Sequence, residues 1–221
     1  MTDRRSRGVA FARLLSSAVI GQTLLSAASF GIGLILIRHT TDVQYGYFIL
    51  ASSAIVLLVS LQNAFFNPPL VNRMTPLAPA ERGDLVGGLY REQRRLRWTL
   101  GGIAAAIAGI LWYARILDEK TGPLVFATII AALAILNREY FRMVLLAHKR
   151  PQDVLRTDMF YVVLMVAGVF FATHTQAPAV AAVLVLGLAG VVSGFFLSRS
   201  LHRHEPWNTR GVSRMNSLRK R

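Results

Sequence analysis

Asn137, Arg138, Glu139 and Arg142 interrupt an apolar run that otherwise extends from Pro123 through Met143-Val144-Leu145-Leu146. At about 100° per residue of helix, Arg138, Glu139 and Arg142 fall within roughly one 100° arc, and Asn137 lies to the other side of Arg138. One helix face is therefore polar and net positive. Guanidinium groups bind phosphate oxygens in bidentate pairs, so such a face suits an anionic ligand.

The element that carries these side chains is the fourth of six apolar spans, 14–37, 47–66, 98–117, 122–147, 155–175 and 178–198. A helix rises about 1.5 Å per residue, and all six approach or meet the length needed for a hydrocarbon core of about 30 Å. If the fourth span enters the membrane near Pro123, Arg138 lies about 22 Å down and Arg142 about 28 Å down. Two readings of that depth are open. The membrane segment ends at Asn137, which leaves only about 22 Å of apolar helix, or the charges are intramembrane and face a water-filled cavity.

The chain has 25 Lys and Arg against 11 Asp and Glu, a net charge of +14. Most of the basic residues stand in the N-terminal segment, the second gap, the fourth gap and the tail. The other three gaps hold only Arg38 and Lys120, with Arg115 at the end of the third span. This is the positive-inside pattern, and it predicts an all-α polytopic membrane protein with six transmembrane helices and both termini cytoplasmic. In a soluble protein the charge would suggest nucleic acid. Here topology accounts for it, because Arg91, Arg94, Arg95 and Arg97 and the other clusters flank spans on one side, where anionic headgroups attract them. No nucleic-acid partner is expected. A composition of 53% hydrophobic and 16% charged residues also excludes an ordinary soluble domain. The first span starts like a signal peptide but stays apolar to Ile37, which predicts a retained helix.

Residues 1–200 are expected to form a six-helix transmembrane lobe, and 201–221 a basic, flexible cytoplasmic tail. Within the lobe, the cytoplasmic loop 67–97 is broken by Pro68, Pro69, Pro76 and Pro79. Its second half, 80–97, reads as an amphipathic helix on the membrane face, with Leu85, Leu89 and Leu96 on one side. The arginines of that helix either sit among headgroups or form a docking surface. Asp158 is expected close to the cytoplasmic interface, since the apolar part of the fifth span is short. The pairs Ala27 and Gly31, Ala105 and Gly109, and Gly190 and Gly194 permit close helix packing. Asn63, with Gln62 and Asn67 in the second span, either bonds between helices or lines a cavity.

Other chemistry finds no support. There is no phosphate-binding loop, no nucleophile with a base and orienter, and no carboxylate pair in the sequence, so the chain is not expected to be an enzyme and no catalytic residue is assigned. With no cysteine there is no disulfide, thiolate metal site or cysteine nucleophile. His202 and His204 lack a third ligand, so neither a metal nor a cofactor is expected.

The stretch Leu34-Ile-Leu-Ile-Arg38-His-Thr-Thr-Asp-Val-Gln-Tyr45-Gly46-Tyr-Phe-Ile-Leu50 resembles the first two helices of polysaccharide and O-antigen flippases, members of the multidrug/oligosaccharidyl-lipid/polysaccharide exporter superfamily. Tyr140-Phe141-Arg142, with Ala147 and Arg150 following, is similar to that family's fourth helix. The resemblance implies a transporter in the bacterial inner membrane that moves a polyprenyl-diphosphate-linked oligosaccharide through a cationic cleft between two six-helix lobes. It places Arg138 and Arg142 on the diphosphate or on acidic sugars, and Glu139 as their counter-charge or as a coupling proton carrier. Asn137 and Asn63 are further substrate-binding candidates. Arg38 either lines the outer mouth or anchors the first loop at the interface. Family members carry about 12 to 14 spans, so this chain corresponds to one lobe, and a homodimer or a partner chain would supply the second. Two alternatives stay open: a non-transporting scaffold of a glycan-assembly complex, and a cation-coupled exporter of small molecules.

Overall fold

The computed structural model describes residues 2–74, 77 and 79–204. Apolar stretches with few helix breakers favour helix throughout, and the described residues form six helices: α1 (Thr2–His39), α2 (Asp42–Met74), α3 (Pro79–Tyr113), α4 (Thr121–Ala147), α5 (Pro151–Ala172) and α6 (Pro178–His204). All six are long and apolar enough to cross a membrane. Their outward faces are apolar too, with Phe30, Leu50, Phe65 and Ile110 each about two-thirds exposed or more. In water such a surface would aggregate; in hydrocarbon it is the solvated face of an all-α, multi-pass membrane protein.

The helix ends have identifiable causes. Arg115 adopts a left-handed conformation, and the Ile116 amide donates back to the Leu111 carbonyl at 3.0 Å, which stops α3 before 117. Lys149 is left-handed as well. Arg150 N–H donates to the Leu145 carbonyl at 3.1 Å, and Pro151 then opens α5 at a position where its missing N–H costs nothing. At the opposite end, Gln44 Oε1 accepts from the Ala179 amide at 3.1 Å and ties the start of α2 to the start of α6.

α4 stands at the centre, packed on α6, α2, α3 and α5, while α1 leans on α5. The α4–α6 contact is close because α6 turns glycines toward it. A Cβ on Gly187 would come within 2.9 Å of the Ala131 Cα, one on Gly190 within 3.2 Å of the Ile135 side chain, and one on Gly194 within 3.4 Å of the Arg138 Cα. The Gly190 and Gly194 pair thus serves close packing as expected. Gly31 and Gly109 face open space, so the pairs in the first and third spans do not.

Two apolar cores are stacked along the bundle. One joins Leu36, Ile55, Ala131, Val169 and Val183 with their neighbours, toward the end where α1 finishes. The other gathers the end of α2 (Phe66, Leu70, Met74), the start of α3 (Leu85, Val86, Leu89), the last turns of α4, and Leu197 and Leu201 of α6. This second core lies at what we call the basic end, which carries the exposed Arg91, Arg94, Arg95, Arg156, Arg199 and Arg203.

The second core corrects the expected loop 67–97. Pro68 and Pro69 do not end α2, because Phe66, Leu70 and Met74, spaced four residues apart, are all buried and hold the helix together past the missing N–H groups. The segment 80–97 is not a separate surface helix. It is the first half of α3, and its Leu85 and Leu89 face the bundle while Leu96 is 45% exposed. The tail is shorter than expected, since α6 runs to His204. Residues 205–221, Pro76 and Ala78 lie outside the described residues.

Candidate functional site

Between the two cores lies a polar layer. α4 projects Arg138, Glu139 and Arg142 toward α5, which answers with Asp158. The Arg138 guanidinium donates from Nη1 to Glu139 Oε1 and from Nη2 to Asp158 Oδ1. Arg142 Nε donates to Asp158 Oδ2 at 3.1 Å, and its Nη1 lies 3.6 Å from Glu139 Oε2. The face of Tyr161, one turn beyond Asp158 on α5, covers the Arg138 guanidinium at 3.9 Å from the ring centroid. Alternation of the two signs lets each carboxylate pair with both arginines, Asp158 by hydrogen bonds to each and Glu139 by a hydrogen bond from Arg138 and an ion pair with Arg142, an arrangement suited to the planar fork of arginine.

This arrangement changes the electrostatic reading. The helix face that is net positive in the sequence of α4 belongs to a neutral tetrad of two cations and two anions, with Asp158 fully buried between α4 and α5. Burying an unpaired charge costs several kcal/mol, so mutual pairing is what lets four ionised groups stay inside a lipid-facing bundle. Exposure falls off inward: the Arg142 side chain is 16% accessible, that of Glu139 11%, Arg138 2% and Asp158 none. Arg142 and Glu139 are the open edge. Their contact is also the longest of the four.

Depth follows from helix lengths. Arg138 stands about 25 Å from the start of α4, and Asp158 about 21 Å from the far end of α5. Against a hydrocarbon core of about 30 Å, the tetrad occupies the third nearest the basic end.

Polar side chains from α2 and α3 extend the layer on the other side of α4. Gln62 Nε2 donates to the Leu136 carbonyl at 3.0 Å. Gln93 Nε2 donates to Gln62 Oε1 at 3.1 Å and approaches the same carbonyl at 3.4 Å. The two amides clasp α2 and α3 onto α4. Below them Tyr140, buried against Tyr90, donates its hydroxyl to the Val86 carbonyl at 2.7 Å.

A groove of about 770 Å³ opens between α3 and α6, with α4 as its floor. Its wall is apolar along Ile130, Leu133, Leu184, Leu188 and Val191, and its polar lining comes from Arg97, Asn137, Ser198 and His202 toward the basic end.

The sequence candidates therefore part company. Arg138, Glu139 and Arg142 are brought together in the tetrad. Asn137, on the other side of α4 as its helical phase requires, lines the groove with an unpartnered Oδ1. Asn63 is half-buried on α2, beside Gln62, and its Oδ1 also lacks a partner. Arg38 is exposed near the end of α1 opposite the basic end, far from the others. Asp158 is the member that reading α4 alone misses. Its signal is an acidic residue inside the fifth apolar span, in a protein with two arginines in need of counter-charge. No family model matches the chain, and neither does any curated protein or solved structure.

Proposed function

We propose that the chain is one lobe of a transporter that moves a polyprenyl-diphosphate-linked oligosaccharide across the bacterial inner membrane, with its basic end in the cytoplasm and a second copy or a partner chain completing the passage. The observation that carries the proposal is the tetrad, an ionised cluster kept at a depth where uncharged packing would be cheaper. The resemblance of Arg38 to Tyr45-Gly46, and of Tyr140-Phe141-Arg142, to lipid-linked saccharide flippases supplies the substrate class.

In this reading the cluster works by exchange. At rest Arg142 is neutralised by Glu139 and Asp158, so the tetrad itself carries no standing positive charge. A diphosphate reaching the open edge displaces Glu139 from Arg142, the weakest contact, and accepts from the guanidinium in its place. Arg138, locked by Asp158 and Tyr161, holds the remaining geometry. Glu139 stays bonded to Arg138 when displaced, and its return to Arg142 releases the substrate.

The test is transport by purified protein in proteoliposomes, reading which leaflet holds a fluorescent polyprenyl-diphosphate saccharide. Arg142→Gln should abolish translocation in protein that still elutes as a folded species, and Arg142→Lys should restore little, because a point charge does not replace a fork. Full transport by both variants rejects the exchange mechanism. The complete internal pairing of the tetrad also favours a second reading, a membrane scaffold of a glycan-assembly complex in which the cluster only locks α4 to α5. Unchanged transport together with loss of assembly in Arg142→Gln would favour it.

A further inference from the structure

Charge accounting in the polar layer leaves one residue over. The tetrad is neutral, yet Arg97, which reaches α4 at Leu133, more than one turn before Arg138, has no carboxylate within ion-pair distance among the described residues. Its Nη1 makes a long contact, 3.4 Å, to the Leu133 carbonyl, the neutral Tyr90 hydroxyl is its side-chain hydrogen-bond partner, its Nε has no partner, and its guanidinium lies 5.7 Å from the Trp98 ring. A half-buried cation in a membrane-facing groove calls for an anion.

The groove indicates what kind. On the floor beside Arg97 is Asn137 Oδ1, an acceptor without a donor. Away from the basic end, the walls are apolar and open sideways along Leu188 and Val191, which are 60% and 56% exposed. The volume lies within the range of about 300–1,000 Å³ typical of ligand clefts. An occupant must therefore join a long apolar chain, one anionic group and one hydroxyl donor at its end, and must enter from the bilayer.

We infer that this groove binds a single anionic glycerophospholipid of the phosphatidylglycerol class. The phosphate sits on Arg97, a headgroup hydroxyl donates to Asn137 Oδ1, and one acyl chain runs along Leu133, Leu184, Leu188 and Val191. The lipid supplies the missing counter-charge and fills the groove between α3 and α6. It belongs to the leaflet at the basic end. This site is separate from the tetrad, and it does not depend on what the lobe transports.

Native mass spectrometry of the full chain, released from mixed phosphatidylglycerol and phosphatidylcholine micelles, tests the assignment. The wild type should retain one phosphatidylglycerol. Arg97→Gln should lower retention by about tenfold or more, the loss of a hydrogen-bonded charge pair. Val191→Trp, which fills the groove without touching a charge, should lower it as well and keeps the test alive if Arg97→Gln does not fold. Arg95→Gln, exposed outside the groove, should retain lipid as the wild type does. Equal retention by Arg97→Gln, or equal retention of phosphatidylcholine, overturns the inference. So does one-for-one displacement of phosphatidylglycerol by polyprenyl phosphate added at a lower concentration, which would make the groove a substrate site. A lipid-free dimer that Val191→Trp splits would assign the groove to a second copy and overturn it equally.

Discussion

Removing Arg138 should unfold this protein more readily than removing almost any other side chain, and removing Asp158 along with it should give most of the stability back. In Arg138→Met, Asp158 stays fully buried with only Arg142 to pair with, and the cluster carries one excess negative charge. Breaking a buried ion pair in this way costs about 3–5 kcal/mol. Arg138→Met with Asp158→Leu leaves Arg142 and Glu139, an i,i+3 pair 3.6 Å apart, which is neutral again. The double variant should therefore lie within about 1–2 kcal/mol of the wild type, since apolar replacement of both partners is commonly close to neutral. Thermal unfolding in detergent, followed by tryptophan fluorescence, reads both. At about 2–4 °C per kcal/mol for a chain of this size, the single variant should melt about 6–20 °C lower. A single variant within about 1 kcal/mol of the wild type would refute the buried-pair reasoning, as would a double variant that loses the sum of the two single losses.

Three further outcomes follow from helix packing and helix ends. Gly187→Ala should destabilise the α4–α6 contact by about 1–3 kcal/mol, because its Cβ meets backbone at 2.9 Å, whereas Gly109→Ala, facing open space, should be neutral or stabilising by up to about 1 kcal/mol; melting temperatures of the two distinguish them. Lys149→Gly should raise stability by about 1 kcal/mol, since a left-handed φ of 57° strains a side-chain-bearing residue and not glycine; a lower melting temperature would count against the left-handed helix end. Hydrogen bonds from the Thr121 hydroxyl and amide hold the Asp118 carboxyl below its usual range. A lowered folded-state value contributes stability that is complete above the unfolded value, about 3.9, and is lost as pH falls through the folded one. The difference in melting temperature between wild type and Asp118→Asn should accordingly vanish at low pH, and a constant difference would exclude this contribution.

The bundle was legible because a helix in hydrocarbon must satisfy its own backbone and show apolar side chains all round, which hydropathy records directly. What hydropathy does not record is rotation about each helix axis. Arg138 and Asp158 stand on different helices, and only the relative phase of α4 and α5 shows that they meet. Reading α4 in isolation therefore found the arginines and mistook their net charge. Asn137 was placed correctly, on the other side of Arg138, because that relation lies within one helix. The prolines at 68 and 69 misled for a related reason: local propensity argues for a break, and the burial of Phe66, Leu70 and Met74 against α3 and α4, a tertiary effect, prevails. The groove between α3 and α6 had no local signature, since its walls come from two helices far apart in the sequence.

Transport is the central claim, and one assay reaches it most directly. The gene is deleted, residues 1–221 are returned alone, and the leaflet holding the polyprenyl-linked oligosaccharides is determined with a membrane-impermeant modifying enzyme. The account expects deletion to trap these lipids on the cytoplasmic side and the returned chain to release them. Oligosaccharides that reach the outer leaflet equally well without the gene would contradict it.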